Sequence, residues 1–120
     1  MVRTIALCCD ENRIQTTVTL LKYGNIRVFS DGVQLASYLQ EGGECSLVVV
    51  IVGGPKGMNY CTFVRGQNKE VPILWVSDDE KYESIAKKIS VNDFWVGPLP
   101  DMLLEKVAGE LLCGTADGKQ

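Results

Sequence analysis

Apolar residues in this 120-residue chain fall into five short runs, separated by stretches in which they recur at helical spacing. The strongest run is Leu47-Val48-Val49-Val50-Ile51-Val52, stopped by Gly53-Gly54-Pro55. A short β-branched run without polar alternation reads as a strand buried on both faces, as at the middle of a parallel sheet covered by helices. Residues 5–9, 26–29, 71–76 and 94–96 read as four further strands, with Pro72 tolerable near the start of its strand.

The intervening stretches carry helical stripes. Ile14, Val18 and Leu21 predict a first apolar face, closed by Gly24. Ser30-Asp31-Gly32 turns the chain; Val33, Leu35, Ala36 and Leu39 predict a second face, ended by Gly42-Gly43. Tyr60, Phe63 and Val64 predict a short third helix before Gly66, and Gly53-Gly54-Pro55-Lys56-Gly57 reads as a flexible loop ahead of it. Ser77-Asp78-Asp79-Glu80 opens a fourth helix, with Ser77 as its expected N-cap. Tyr82, Ile85, Ala86 and Ile89 form its apolar face, and Lys87-Lys88 suits its negative end. Leu103, Leu104, Val107, Leu111 and Leu112 mark a final helix. Trp75 and Trp95 fall in strand runs and read as core.

Five β-α units in a row predict an α/β, flavodoxin-like three-layer sandwich with a parallel sheet and right-handed crossovers. The expected domain spans residues 1–113, and residues 114–120 read as a polar tail or linker.

Composition narrows the function. Twelve basic residues against 15 acidic give a net charge of −3, which argues against phosphate-backbone binding and so against nucleic acid as this domain's partner. The longest apolar run is too short to span a bilayer, and a cytoplasmic setting is the expectation. There is no histidine, which removes the usual general base and metal ligand. The cysteines, Cys8, Cys9, Cys45, Cys61 and Cys113, are odd in number and form no CxxC pair, so neither a zinc site nor a disulfide framework is expected.

Several short motifs recur together. They are Asp10-Glu11 after the first strand, Leu20-Leu21-Lys22-Tyr23-Gly24, Asp31-Gly32-Val33, Leu39-Gln40, Gly42-Gly43 and Pro55. Val71-Pro72-Ile73-Leu74 leading to Ser77, and Pro98 after the fifth strand, complete the set. In this register, from about residue 3 to 112, the chain resembles the receiver domain of two-component response regulators. The resemblance implies sheet order 2-1-3-4-5. It also implies phosphoryl transfer from a partner kinase's phosphohistidine to an aspartate. That chemistry takes a carboxylate nucleophile, two further acids holding Mg²⁺, a hydroxyl and a lysine.

Carried over position by position, most of that set is missing. The acceptor falls on Ile51 and the first acid on Cys9. The second acid is kept as Asp10, beside Glu11. The hydroxyl is kept as Ser77, the lysine falls on Gly97, and the aromatic switch position falls on Phe94. The losses are mutually consistent, because fewer carboxylates leave less for a lysine to balance. One carboxylate and a neighbour make a poor magnesium site, so no metal and no cofactor is expected. Asp10 and Glu11 read first as helix-capping acids, with a metal site as the alternative.

The expectation is a non-catalytic, phosphorylation-independent regulatory module acting through protein contacts. It could form the N-terminal part of a transcriptional regulator. The alternatives are a small α/β enzyme using Cys9 or Asp10 and Glu11, and a divergent receiver phosphorylated at another residue. Asp10 and Glu11 disfavour a thiolate at Cys9, which needs positive surroundings. The expected working surface, for a homodimer or another protein, is the fourth helix, fifth strand and fifth helix. It carries Lys87, Lys88, Asp93, Phe94, Glu105 and Lys106.

Overall fold

The structure, a computed structural model, describes residues 3–9 and 14–117. Five strands, β1 (Thr4–Cys9), β2 (Asn25–Phe29), β3 (Leu47–Ile51), β4 (Ile73–Ser77) and β5 (Asp93–Val96), form one sheet in the order β2-β1-β3-β4-β5. All neighbouring pairs are parallel. The helices are α1 (Ile14–Leu20), α2 (Gly32–Gln40), α3 (Gly54–Gln67), α4 (Glu83–Ile89) and α5 (Asp101–Asp117). This is the expected flavodoxin-like sandwich. α5 runs on through the first four residues of the stretch read as a tail. Among the described residues, no helix is long and apolar enough to cross a membrane.

The lack of polar alternation in β3 has a direct cause. Leu47 and Val49 face one core, with Ile5, Leu7, Leu74 and Leu104, while Val48 and Val50 face the other, with Leu35, Cys61, Ile73 and Trp75. Successive strand residues point to opposite faces, and both faces are covered by helices.

Helix phase was harder to read. Of the stripe Ile14, Val18 and Leu21, Val18 and Leu21 are more than half exposed, whereas Leu20 is buried. Beyond Leu20 the helix tightens into a 3₁₀ turn over Leu21–Tyr23, which breaks the 3.6-residue phase. In α2, Leu35 and Leu39 are buried as expected, whereas Val33, in the first turn, is exposed. Ile85, Ala86 and Ile89 of α4, with Tyr82 at the end of the 3₁₀ turn that precedes it, pack against the core as read.

The stretch read as a loop at residues 53–57 is instead the start of α3, which is 14 residues long. Pro55 stands in the first turn, where a missing N–H costs nothing. A Cβ on Gly57 would overlap the Val52 carbonyl oxygen and lie 2.7 Å from Trp75 Nε1. Glycine here lets the helix lie against the end of β3, so its local loop preference is overruled by packing.

At the amino edge of the sheet, Arg65 of α3 ties several segments together. Its Nη1 donates to the carbonyls of Asn68 and Val71 at 3.0 and 2.9 Å. Its Nη2 donates to the Ser90 carbonyl at 2.8 Å and to Asn92 Oδ1 at 3.2 Å. Asn92 Oδ1 also accepts from the Ile73 N–H at 2.9 Å. Burial lowers the Arg65 pKa from its usual value, with the nearby Cys61 opposing that change.

Candidate functional site

β3 carries Ile51 to the carboxyl edge of the sheet, the usual place for function in open α/β sheets. Ile51 pairs with Cys9 of β1 and with Val76 of β4. All three side chains belong to the core beneath α5. Cys9 is buried, at 4% exposure. Above them lies a pocket of 350 Å³, lined by Thr16, Ile51, Ser77, Asp78, Gly97 and Leu104 among others.

Ser77 is the last residue of β4 and is 3% exposed. Its Oγ accepts a hydrogen bond from the Asp79 N–H at 3.3 Å, and its carbonyl accepts one from Gly97 N–H at 2.7 Å. Ser77 is therefore not the cap expected from its position. Asp79 instead caps the 3₁₀ turn Glu80–Tyr82 that leads into α4, accepting from the Lys81 N–H at 2.9 Å. The reason is strand length: β4 continues through Ser77, which moves the helix start downstream.

Gly97 has φ +82°, a left-handed conformation that suits glycine. The position offers no charge to the pocket, and a lysine would be strained there. Asp10 and Glu11 lie outside the described residues. Among the described residues, no group of three or more His, Cys, Asp or Glu is placed to hold a metal ion. Magnesium prefers hard oxygen ligands, and Ile51 and the Cys9 thiol supply none, so these described residues do not fit the ion.

Asp78 and Thr16 are the pocket residues that sequence reasoning missed. By its position in the sequence Asp78 reads only as a helix-opening acid. A Cβ on Gly53 would collide with its Oδ1, so the carboxylate lies close over Gly53. The signal was present in Ser77-Asp78, an acid directly following a strand end.

The residues of the expected working surface lie on α4, β5 and α5. Lys87 and Lys88 are exposed in the last turn of α4, close in sequence to Asp93 at the start of β5. Phe94 is half-buried and meets Trp75 edge-on at 5.1 Å between ring centroids; Trp75 also meets Tyr82 at 5.9 Å. Lys106 is exposed. Glu105 is occupied elsewhere. Its carboxylate accepts from Lys22 at 2.7 Å, and its carbonyl accepts from Tyr23 Oη at 3.0 Å, which ties α5 to the turn following α1. Trp75 is fully buried as read, while Trp95 is half-buried against the core beneath α5.

The chain superposes on a CheY-like response regulator receiver domain protein from Methanospirillum hungatei with a TM-score of 0.82. Sequence identity is 13%, and 98% of this chain and 100% of that chain are covered. The Vibrio cholerae chemotaxis protein CheY4 gives a TM-score of 0.78 at 21% identity, covering 93% of this chain and all of that one. The response regulator DrrB of Thermotoga maritima, an OmpR/PhoB homologue, also gives 0.78, at 19% identity. That match covers 96% of this chain and 54% of DrrB. The fold is that of a receiver domain. No protein-family model and no curated protein sequence matches the chain.

Proposed function

We propose that this domain is a regulatory module of signal transduction that works through protein contacts and is not switched by phosphorylation. One observation carries the reading: Ile51 stands at the end of β3, between Cys9 and Val76, where the resemblance puts the phospho-acceptor. Phosphoryl transfer needs an oxygen nucleophile at that point, and isoleucine has none. Gly97 withholds a cation from the same pocket.

Without a phosphoryl trigger, the surface of α4, β5 and α5 is held in one state. The edge-on contact of Phe94 with Trp75 supports this, since the aromatic side chain at the switch position already has a packed partner. Association through Lys87, Lys88, Asp93, Phe94 and Lys106 is then constitutive, with a second copy or another protein as partner. A regulator in which an output domain follows this module, as in DNA-binding response regulators, fits the reading.

Incubation with acetyl phosphate and Mg²⁺, followed by intact-mass measurement, tests it. The expected result is no mass addition. A stoichiometric, base-labile addition of one phosphate would refute the reading.

A further inference from the structure

The pocket at the carboxyl edge has a chemistry of its own. Its base is apolar, formed by Ile51, Val76 and Leu104. Ser77 presents a buried hydroxyl whose Oγ accepts from Asp79, while its proton has no acceptor among the described residues. The Asp78 carboxylate lies beside Gly53 on the same cavity and makes no ion pair with a described residue. No Lys or Arg is among the described residues lining it. Among the described residues, an anion entering here would meet a carboxylate and no cation.

We propose that this pocket binds a small organic cation: an apolar body of single-ring size carrying a protonated amine. The apolar part covers Ile51 and Leu104, and the amine pairs with Asp78. A ligand acceptor atom, where present, takes the Ser77 proton. Space is sufficient, since the pocket measures 350 Å³ and an apolar cavity of about 150 Å³ already holds benzene. The geometry matches the common pattern of an apolar pocket with a few convergent polar groups. The proposal rests on the phosphorylation-independent reading, because a phosphorylated residue and its counter-ion would compete for the same edge.

The test is an NMR titration of the full chain with three probes of one shape: benzylamine, benzyl alcohol and benzoate. Benzylamine is expected to shift the Ile51, Val76 and Leu104 methyl resonances saturably. It should bind about fivefold more tightly than benzyl alcohol, the effect of one partly solvated ion pair. Benzoate is expected to give no saturable shift at these methyls. The exposed position of Asp78 makes Asp78→Asn a mild change, and this variant should lose the preference for the amine while still binding benzyl alcohol. Three results would overturn the proposal: no saturation by benzylamine, equal binding of benzoate, or an undiminished amine preference in the variant. Its failure is separable from that of the parent reading. Phosphate uptake from acetyl phosphate sinks both, whereas a failed titration without phosphate uptake sinks the cation pocket alone.

Discussion

Trp75 donates its indole N–H to the Val52 carbonyl at 2.8 Å, joining the middle of β4 to the residue that follows β3. The bond is buried, and α3 reaches it only because Gly57 has no side chain. Gly57→Ala should therefore destabilise the domain by about 3 kcal/mol through overpacking. Trp75→Phe, which keeps a ring but leaves the Val52 carbonyl unpaired, should cost about 1–3 kcal/mol from the hydrogen bond, with a cavity penalty added. Urea denaturation read by far-UV circular dichroism measures both. An unchanged midpoint for Gly57→Ala would show that α3 can shift away from β3.

A carboxylate placed at the end of β3 should not by itself create a working phosphorylation site. Ile51→Asp sets a carboxylate beside Cys9 and Val76, and Gly97 resists the matching lysine. A side chain at φ +82° costs about 1–2 kcal/mol. The double variant Ile51→Asp, Gly97→Lys is expected to melt below the parent. It should incorporate well under one phosphate per chain from acetyl phosphate, as read by intact mass. Full, rapid incorporation in Ile51→Asp alone would show that Asp10, Glu11 and Ser77 suffice.

The Arg65 and Asn92 joint gives a third expectation. Arg65→Lys keeps the charge and loses the planar fork that reaches Asn68, Val71, Ser90 and Asn92. It should cost nearly as much as Arg65→Ala, about 2–3 kcal/mol. Asn92→Ala unpairs the Ile73 N–H, so amide exchange at Ile73 should rise more than exchange at Val49. Equal protection in the variant and the parent would remove Asn92 from this role.

The proposed working surface separates two groups of charges. Lys87→Glu with Lys88→Glu should weaken self-association or partner binding about tenfold, since exposed pairs contribute up to about 1 kcal/mol each. Glu105→Gln should leave association unchanged, because Glu105 already faces Lys22. Light scattering across a concentration series, backed by partner titration, reads both. Weaker association in Glu105→Gln alone would place the contact on the α1 side of α5.

The thiols carry a pH expectation. Burial raises the Cys45 pKa from 9.0 to about 11. Burial also pushes Cys61 well above its usual value, with Cys8 adding to the shift. In the unfolded chain Cys45 ionises first, so the folded state holds more protons than the unfolded one between about pH 9 and 11. Stability should be undiminished by Cys45 below pH 9 and should fall across that window. Cys45→Ser should flatten part of the decline in urea midpoints. Alkylation at pH 8 should be fastest at the exposed Cys113, which peptide mapping would identify.

Much of this molecule was legible from residues alone. The five strands and their parallel sheet followed from short-range pattern, and the position of Ile51 at the end of the central strand followed with them. A β-branched run such as 47–52 needs cover on both faces wherever it sits. Local pattern did not decide which of two adjacent apolar residues at the end of α1 turns inward, because the choice between Leu20 and Leu21 depends on the surface opposite. It assigned Gly53–Gly57 to a loop because glycine and proline disfavour helix in isolation. Tertiary contact with Val52 and Trp75 outweighs that preference. It read Ser77 as a cap, although capping depends on where β4 ends. The ties of Glu105 to Lys22, and of Arg65 to Asn92, span 83 and 27 positions. Such contacts exist only once the sheet has brought distant segments together, so the sequence determined the scaffold, and the tertiary structure decided which side chains meet.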